Sequence, residues 1–111
     1  MPIVTIKNVD IRKKANVYHD GRVTSRTLIT PDGEMKTLGL MLAGVYRFST
    51  EAPETLEITE GHCRIRLEDS QEWTEYVSGD TVEVPGNSHF DIEVTDLLDY
   101  LCHYHPPGKE A

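Results

Sequence analysis

Seven side chains of this sequence belong to the two residue types that most readily ligate transition metals, five histidines and two cysteines. Cys102, His103 and His105 stand close enough along the chain to look like a ligand cluster. Strand alternation turns Cys102 and His103 to opposite faces, and His105 adjoins two prolines. A surface pair that scavenges a metal fits them better than a functional site. His19 and His62 read as exposed loop or strand residues. Cys63 and Cys102 are too few to brace a domain with disulfides, so reduced, buried thiols of a cytosolic protein are expected.

Whatever chemistry the chain performs, strands must position it. At 111 residues there is room for one domain, and 38% hydrophobic residues suffice for one modest core. No segment of about eleven residues shows a 3.6-residue period, whereas short alternating runs recur throughout. Strands are predicted over 2–9, 22–30, 35–43, 45–49, 55–60, 62–68, 73–77, 81–84, 90–94 and 97–104. Pro31-Asp32-Gly33 supplies a turn between the second and third runs: proline presets φ, aspartate bonds back to the backbone and glycine accepts positive φ. In 62–68 the alternation sends Cys63, Ile65 and Leu67 to one face and His62, Arg64, Arg66 and Glu68 to the other. Nine or ten short strands with tight turns imply an all-β closed barrel or jelly roll, which removes exposed sheet edges. Residues 1–15 read as an N-terminal strand and arm, and 105–111 as a flexible tail.

The net charge of −8 repels nucleic-acid phosphates and anionic membranes, but not a small anion met by local donors. No run of about eighteen apolar residues appears, and the first ten residues lack a basic-then-apolar leader, so a cytoplasmic location is expected. Apolar and aromatic residues on both strand faces point to a two-fold homodimer.

Two spacings resemble the cupin motifs. Gly79, then five residues, then Pro85-Gly86 is similar to the second motif; Glu54, then six residues, then Gly61 is similar to the end of the first. The resemblance implies a single cupin-like double-stranded β-helix, with Phe90, Ile92 and Val94 pointing inward and Glu54 inward beside Leu56 and Ile58. The metal half of the motif is missing. Arg47 and Ser49 stand where paired histidines would, and Phe90 replaces a third, with His89 one residue away and therefore on the opposite face. No catalytic metal is expected.

Asn16-Val17-Tyr18, Gly21 to Arg26, Gly39-Leu40-Met41, Gly44 to Thr50, Pro53-Glu54, Trp73, Val84 to Phe90 and Tyr100 to Tyr104, in this order, resemble the small cupin-type pyrimidine/purine nucleoside phosphorylases. That resemblance implies phosphorolysis of purine and pyrimidine nucleosides to free base and ribose 1-phosphate, without a cofactor and with inorganic phosphate as co-substrate. Phosphate then needs donors. Arg22, Ser25 and Arg26 share one strand, Arg22 being preferred, although Ser25 faces away from both arginines; Arg47 and Ser49 share another. Glu54 either stabilises positive charge at the ribosyl centre or anchors the turn after Ala52-Pro53. Tyr46, Phe48, Phe90 and Tyr104 could stack on a base, or could serve as core. Tyr46 and Phe48 lie opposite Arg47 and Ser49, so only one pair lines the lumen. Ser88 either binds ligand or holds its turn. A non-catalytic cupin that binds a sugar or nucleoside and a metal-dependent cupin enzyme are the competing readings.

Overall fold

The computed structural model describes residues 5–105. Nine strands follow in order: β1 Asp10–Ile11, β2 Asn16–Tyr18, β3 Val23–Ile29, β4 Met35–Thr50, β5 Glu54–Glu60, β6 His62–Leu67, β7 Thr74–Val77, β8 Thr81–Val84 and β9 Ser88–Tyr104. The predicted first strand differs: residues 2–4 lie outside the described set, and Thr5–Val9 form no strand. The short β1 and β2 pair with β3 instead. Of the predicted tail only His105 is described. Its N–H donates to the Pro53 carbonyl at 2.9 Å, which ties it to the start of β5.

Four of the predicted strands merge into two. β4 joins 35–43 to 45–49, and β9 joins 90–94 to 97–104. Both are long because each serves two sheets. Residues 36–42 of β4 pair with 97–103 of β9, while 44–50 pair with 88–94. The first half of β4 with the second half of β9 carries β3, β1 and β2 on one side and β5 and β8 on the other; the second half of β4 with the first half of β9 carries β6 and β7. The result is the jelly-roll β-helix, with apolar side chains of both sheets filling the space between.

Where β4 passes from one sheet to the other, its register on β9 shifts between Leu42 and Gly44. Gly44 has φ +155° there, and a Cβ on it would stand 2.8 Å from the Tyr46 hydroxyl. The bulge flips parity. Before it Thr37 and Met41 are buried; after it Tyr46 and Thr50 are. β9 keeps one inward set throughout, from Phe90, Ile92 and Val94 to Leu98, Tyr100 and Cys102, each at most 5% exposed. The outer face of β4 leaves Leu38, Leu40 and Leu42 exposed, so apolar residues do occupy both faces.

On the outside of the second sheet, Asp91 accepts from Arg47 Nε at 2.8 Å and from Arg66 Nη2 at 2.9 Å. Arg66 and Arg64 stack on the Trp73 ring, at 4.8 and 5.2 Å from its centroid. The two guanidinium groups hold the Asp91 carboxyl well below its ordinary value of 3.8. A depressed folded-state pKa stabilises above the unfolded value and loses that contribution as pH falls. Asp91→Asn should therefore melt below the parent at pH 7. The gap should shrink below about pH 4 and in high salt, which thermal melts at two pH values would check.

Candidate active site

A cavity of about 660 Å³ opens between the two sheets. One wall is aromatic. Phe48 from the second half of β4 and Phe90 from β9 lie with ring centroids 5.7 Å apart, and Tyr18 stands edge-on to Phe48 at 6.3 Å. His19 backs Phe48 at 5.1 Å. It sits in a tight turn where His19, Asp20 and Gly21 all have positive φ, a strained arrangement for the two non-glycine residues. Tyr18, Phe48 and Phe90 thereby line one side of the lumen with aromatic surface.

The opposite wall is polar and carries no cationic side chain. It takes Ser25 from β3, Thr37 from β4, Tyr100, Cys102 and Tyr104 from β9, and Glu54 from β5. Strand pairing places these side by side: Ser25 opposite Gly39 opposite Tyr100, Thr37 opposite Cys102, and Glu54 opposite Tyr104. Cys102 Sγ donates to Glu54 Oε1 at 3.3 Å, and Thr37 Oγ1 lies 3.1 Å from Tyr104 Oη.

Burial decides the protonation of this wall. It raises the Glu54 carboxyl above its ordinary 4.5, and the thiol hydrogen bond offsets this only in part. The Tyr100 and Tyr104 phenols are raised for the same reason and stay protonated. Cys102 is pushed well above a normal thiol, by burial first and by Glu54 second, and Cys63 is pushed up to about 11. Neither thiol is then an available nucleophile at neutral pH. Both should react with a thiol reagent at pH 7.5 more than about a hundredfold slower than free cysteine. Unfolding should release both at the ordinary rate.

No group of three or more metal-ligating side chains occurs among the described residues. Phe90 fills the inward position, and His89 Nδ1 faces Glu68 at 3.2 Å on the other side. His103 turns away from Cys102, to Lys36 at 2.7 Å and Glu57 at 3.3 Å.

A family model described as pyrimidine/purine nucleoside phosphorylase matches residues 13–104. The chain belongs to that family. The pyrimidine/purine nucleoside phosphorylase of Paraburkholderia xenovorans is 52% identical over 96 residues, covering 86% of this chain and 91% of the relative. A solved structure from an Acinetobacter species, titled a protein of unknown function, superposes with a TM-score of 0.89 at 41% identity, covering 91% and 98% of the two chains. An RmlC-like cupin with a double-stranded β-helix fold, from Methanocaldococcus jannaschii, superposes at 0.64 with 22% identity, covering 86% and 91%. It shows the fold alone, which is the cupin β-helix.

Within this phosphorylase-family chain, the candidate residues separate cleanly. Glu54, Ser25, Phe48, Phe90 and Tyr104 line the cavity. Tyr46 also points inward but is spent on structure, its hydroxyl donating to the Leu42 carbonyl at 2.7 Å. Ser49 shares the outward face of Arg47, yet borders the cavity because β4 ends at its rim. Arg47 is held by Asp91 on the outside. Arg26 is exposed on the outer face of β3. Arg22 lies outside the cavity lining, its Nη2 donating to the Ala43 carbonyl at 2.7 Å beside the bulge. Ser88 holds its turn: its hydroxyl donates to Glu68 at 3.1 Å, and its N–H to Thr50 Oγ1 at 3.1 Å. Thr37 and Tyr100 join the lining although sequence reasoning does not single them out, and so does Cys102, which stands out in the sequence only beside His103 and His105. Parity with Tyr104 is the available signal for Tyr100 and Cys102, four and two residues earlier on β9.

Proposed function

We propose that this chain cleaves purine and pyrimidine nucleosides by phosphorolysis inside the cavity, giving free base and ribose 1-phosphate. The observation that carries the reading is the juxtaposition of an aromatic wall with a half-buried carboxyl, Glu54, on the facing wall. Phe48, Phe90 and Tyr18 offer π-faces to any base, which suits acceptance of both base classes. Glu54 is then the general acid, because burial raises its carboxyl above the ordinary range and favours the protonated form. The C1′–N bond breaks as a phosphate oxygen bonds to C1′. The departing base nitrogen system takes the Glu54 proton, and the proton shed by the new phosphate monoester restores the carboxyl. The rings exclude water, and phosphate itself balances the oxocarbenium charge. The reading asks for no metal and no organic cofactor. The family membership and the names of close relatives support it.

Incubation with uridine or adenosine, with and without phosphate, tests it. Base release that needs phosphate and survives EDTA is expected. Release without phosphate would make the protein a hydrolase, and tight binding without release would make it a binding module.

A further inference from the structure

We propose that the phosphate co-substrate is held by a patch of uncharged hydroxyls, Ser25, Thr37, Tyr100 and Tyr104, and that Asn16 sets the direction in which this patch donates. The proposal rests on the phosphorolytic reading. No lysine or arginine lines the cavity among the described residues. Arg22 is bonded to Ala43, and Arg47 and Arg66 are bonded to Asp91. An oxyanion inside the cavity must therefore find neutral donors, and the hydroxyl wall is where they gather.

The strand register builds that wall. Asn16, Ser25, Gly39 and Tyr100 form one row across β2, β3, β4 and β9. Gly39 contributes no side chain, so nothing stands between Ser25 and the Tyr100 phenol. Thr27 and Thr37 oppose each other in the next row. Asn16 lies behind the cavity, not in it. Its Nδ2 donates to Ser25 Oγ at 3.2 Å and to Thr27 Oγ1 at 3.2 Å.

Donor direction follows from hydroxyl chemistry, since each hydroxyl has one hydrogen to give. Ser25 accepts from Asn16 and so has its own hydrogen free to give to the Tyr100 oxygen, which lies across Gly39 in the same row. The phenolic hydrogen of Tyr100 is then left for the lumen. In the Thr37–Tyr104 pair one hydroxyl donates to the other, which frees the second hydrogen. Two hydroxyl hydrogens are thus left for a ligand rich in acceptor oxygens, as phosphate is. Burial raises the carboxyl of the neighbouring Glu54, which favours its neutral form and lessens its repulsion of the anion.

The test is steady-state kinetics of three variants, with the nucleoside and phosphate concentrations varied separately and folding checked by thermal melts. Tyr100→Phe removes one oxygen and keeps the ring. It should raise the phosphate KM about tenfold or more, with the nucleoside KM changed less than about twofold. Asn16→Ala should raise the phosphate KM about threefold. The double variant should match Tyr100→Phe, because Asn16 acts as a positioning residue through that phenol. Multiplicative effects in the double variant would overturn the relay. A phosphate KM unmoved by Tyr100→Phe, or a tenfold rise on Arg22→Ala alone, would overturn the site. If the parent releases base without phosphate, the functional reading itself fails; variants that match an active, phosphate-requiring parent sink only this proposal.

Discussion

Glu54→Gln should lower kcat by about 10²- to 10⁴-fold, the range a positioned general acid supplies, with the KM values little changed. The variant keeps the size and polarity of the side chain but has no acidic proton to pass to the departing base. Glu54 is suited to that task by its surroundings. It sits at the start of β5 opposite Tyr104, takes the Cys102 thiol hydrogen bond at 3.3 Å, and has its carboxyl raised by burial. In the parent, activity should fall as pH rises through that raised pKa, because the acid form is the working one. In Glu54→Gln that alkaline limb should disappear.

Stability should move the other way. A carboxyl whose folded pKa lies above its unfolded value binds more protons when folded, so it costs stability as pH rises above the unfolded value. Removing the ionisable group removes that cost. Glu54→Gln should melt no lower than the parent at pH 7 to 8, and any advantage should vanish below the ordinary carboxyl value of 4.5. A variant that loses activity and also unfolds more easily at pH 8 would mark Glu54 as a turn anchor instead of an acid.

The second large effect concerns a residue with no side chain. Gly39→Ala should destabilise the fold by about 3 kcal/mol, at the upper end for an overpacked core site. For a domain of this size that lowers the melting temperature by roughly 15 °C. Gly39 lies in the middle of β4, with β3 on one side and β9 on the other. A Cβ there would collide with the Thr24 carbonyl and stand 2.8 Å from the Ser25 Cβ and 2.9 Å from its Cα. Backbone atoms cannot step aside as a flexible side chain would. The same methyl would push Ser25 and Tyr100 apart, so activity should fall beyond what the loss of folded protein explains. Differential scanning calorimetry and assays normalised to folded protein would separate the two effects. A Gly39→Ala variant with the parent's melting temperature would show that the strands are looser here than their pairing indicates.

Much of the fold is legible in the sequence because turn chemistry and alternation agree. Pro31-Asp32-Gly33 does connect β3 to β4, and Cys63 and Ile65 are buried while Arg64 and Arg66 reach the outer ion pairs. Gly79 and Pro85-Gly86 bracket β8 as the cupin spacing implies. What alternation cannot supply is the parity change on β4. The shift at Leu42/Gly44 turns Thr37 and Tyr46 to the same interior although nine residues separate them. Local pattern therefore splits β4 into two strands and leaves open which pair of its second half lines the lumen. The places of the arginines are hard to read for a related reason. A cation is the usual partner of phosphate, but on this chain Arg22, Arg26 and Arg47 all fall on outward positions, where carbonyl, solvent and Asp91 take them. The polar wall is instead spread over strands distant in sequence, and only register brings Asn16, Ser25 and Tyr100 into one row.

The central claim is that phosphate, not water, ends up on the sugar. Phosphorus NMR of the protein turning over uridine in phosphate buffer reads this directly. A new phosphate-monoester resonance, growing in step with free uracil, is the predicted result. Uracil accumulating beside free ribose, with inorganic phosphate as the only phosphorus signal, would contradict it.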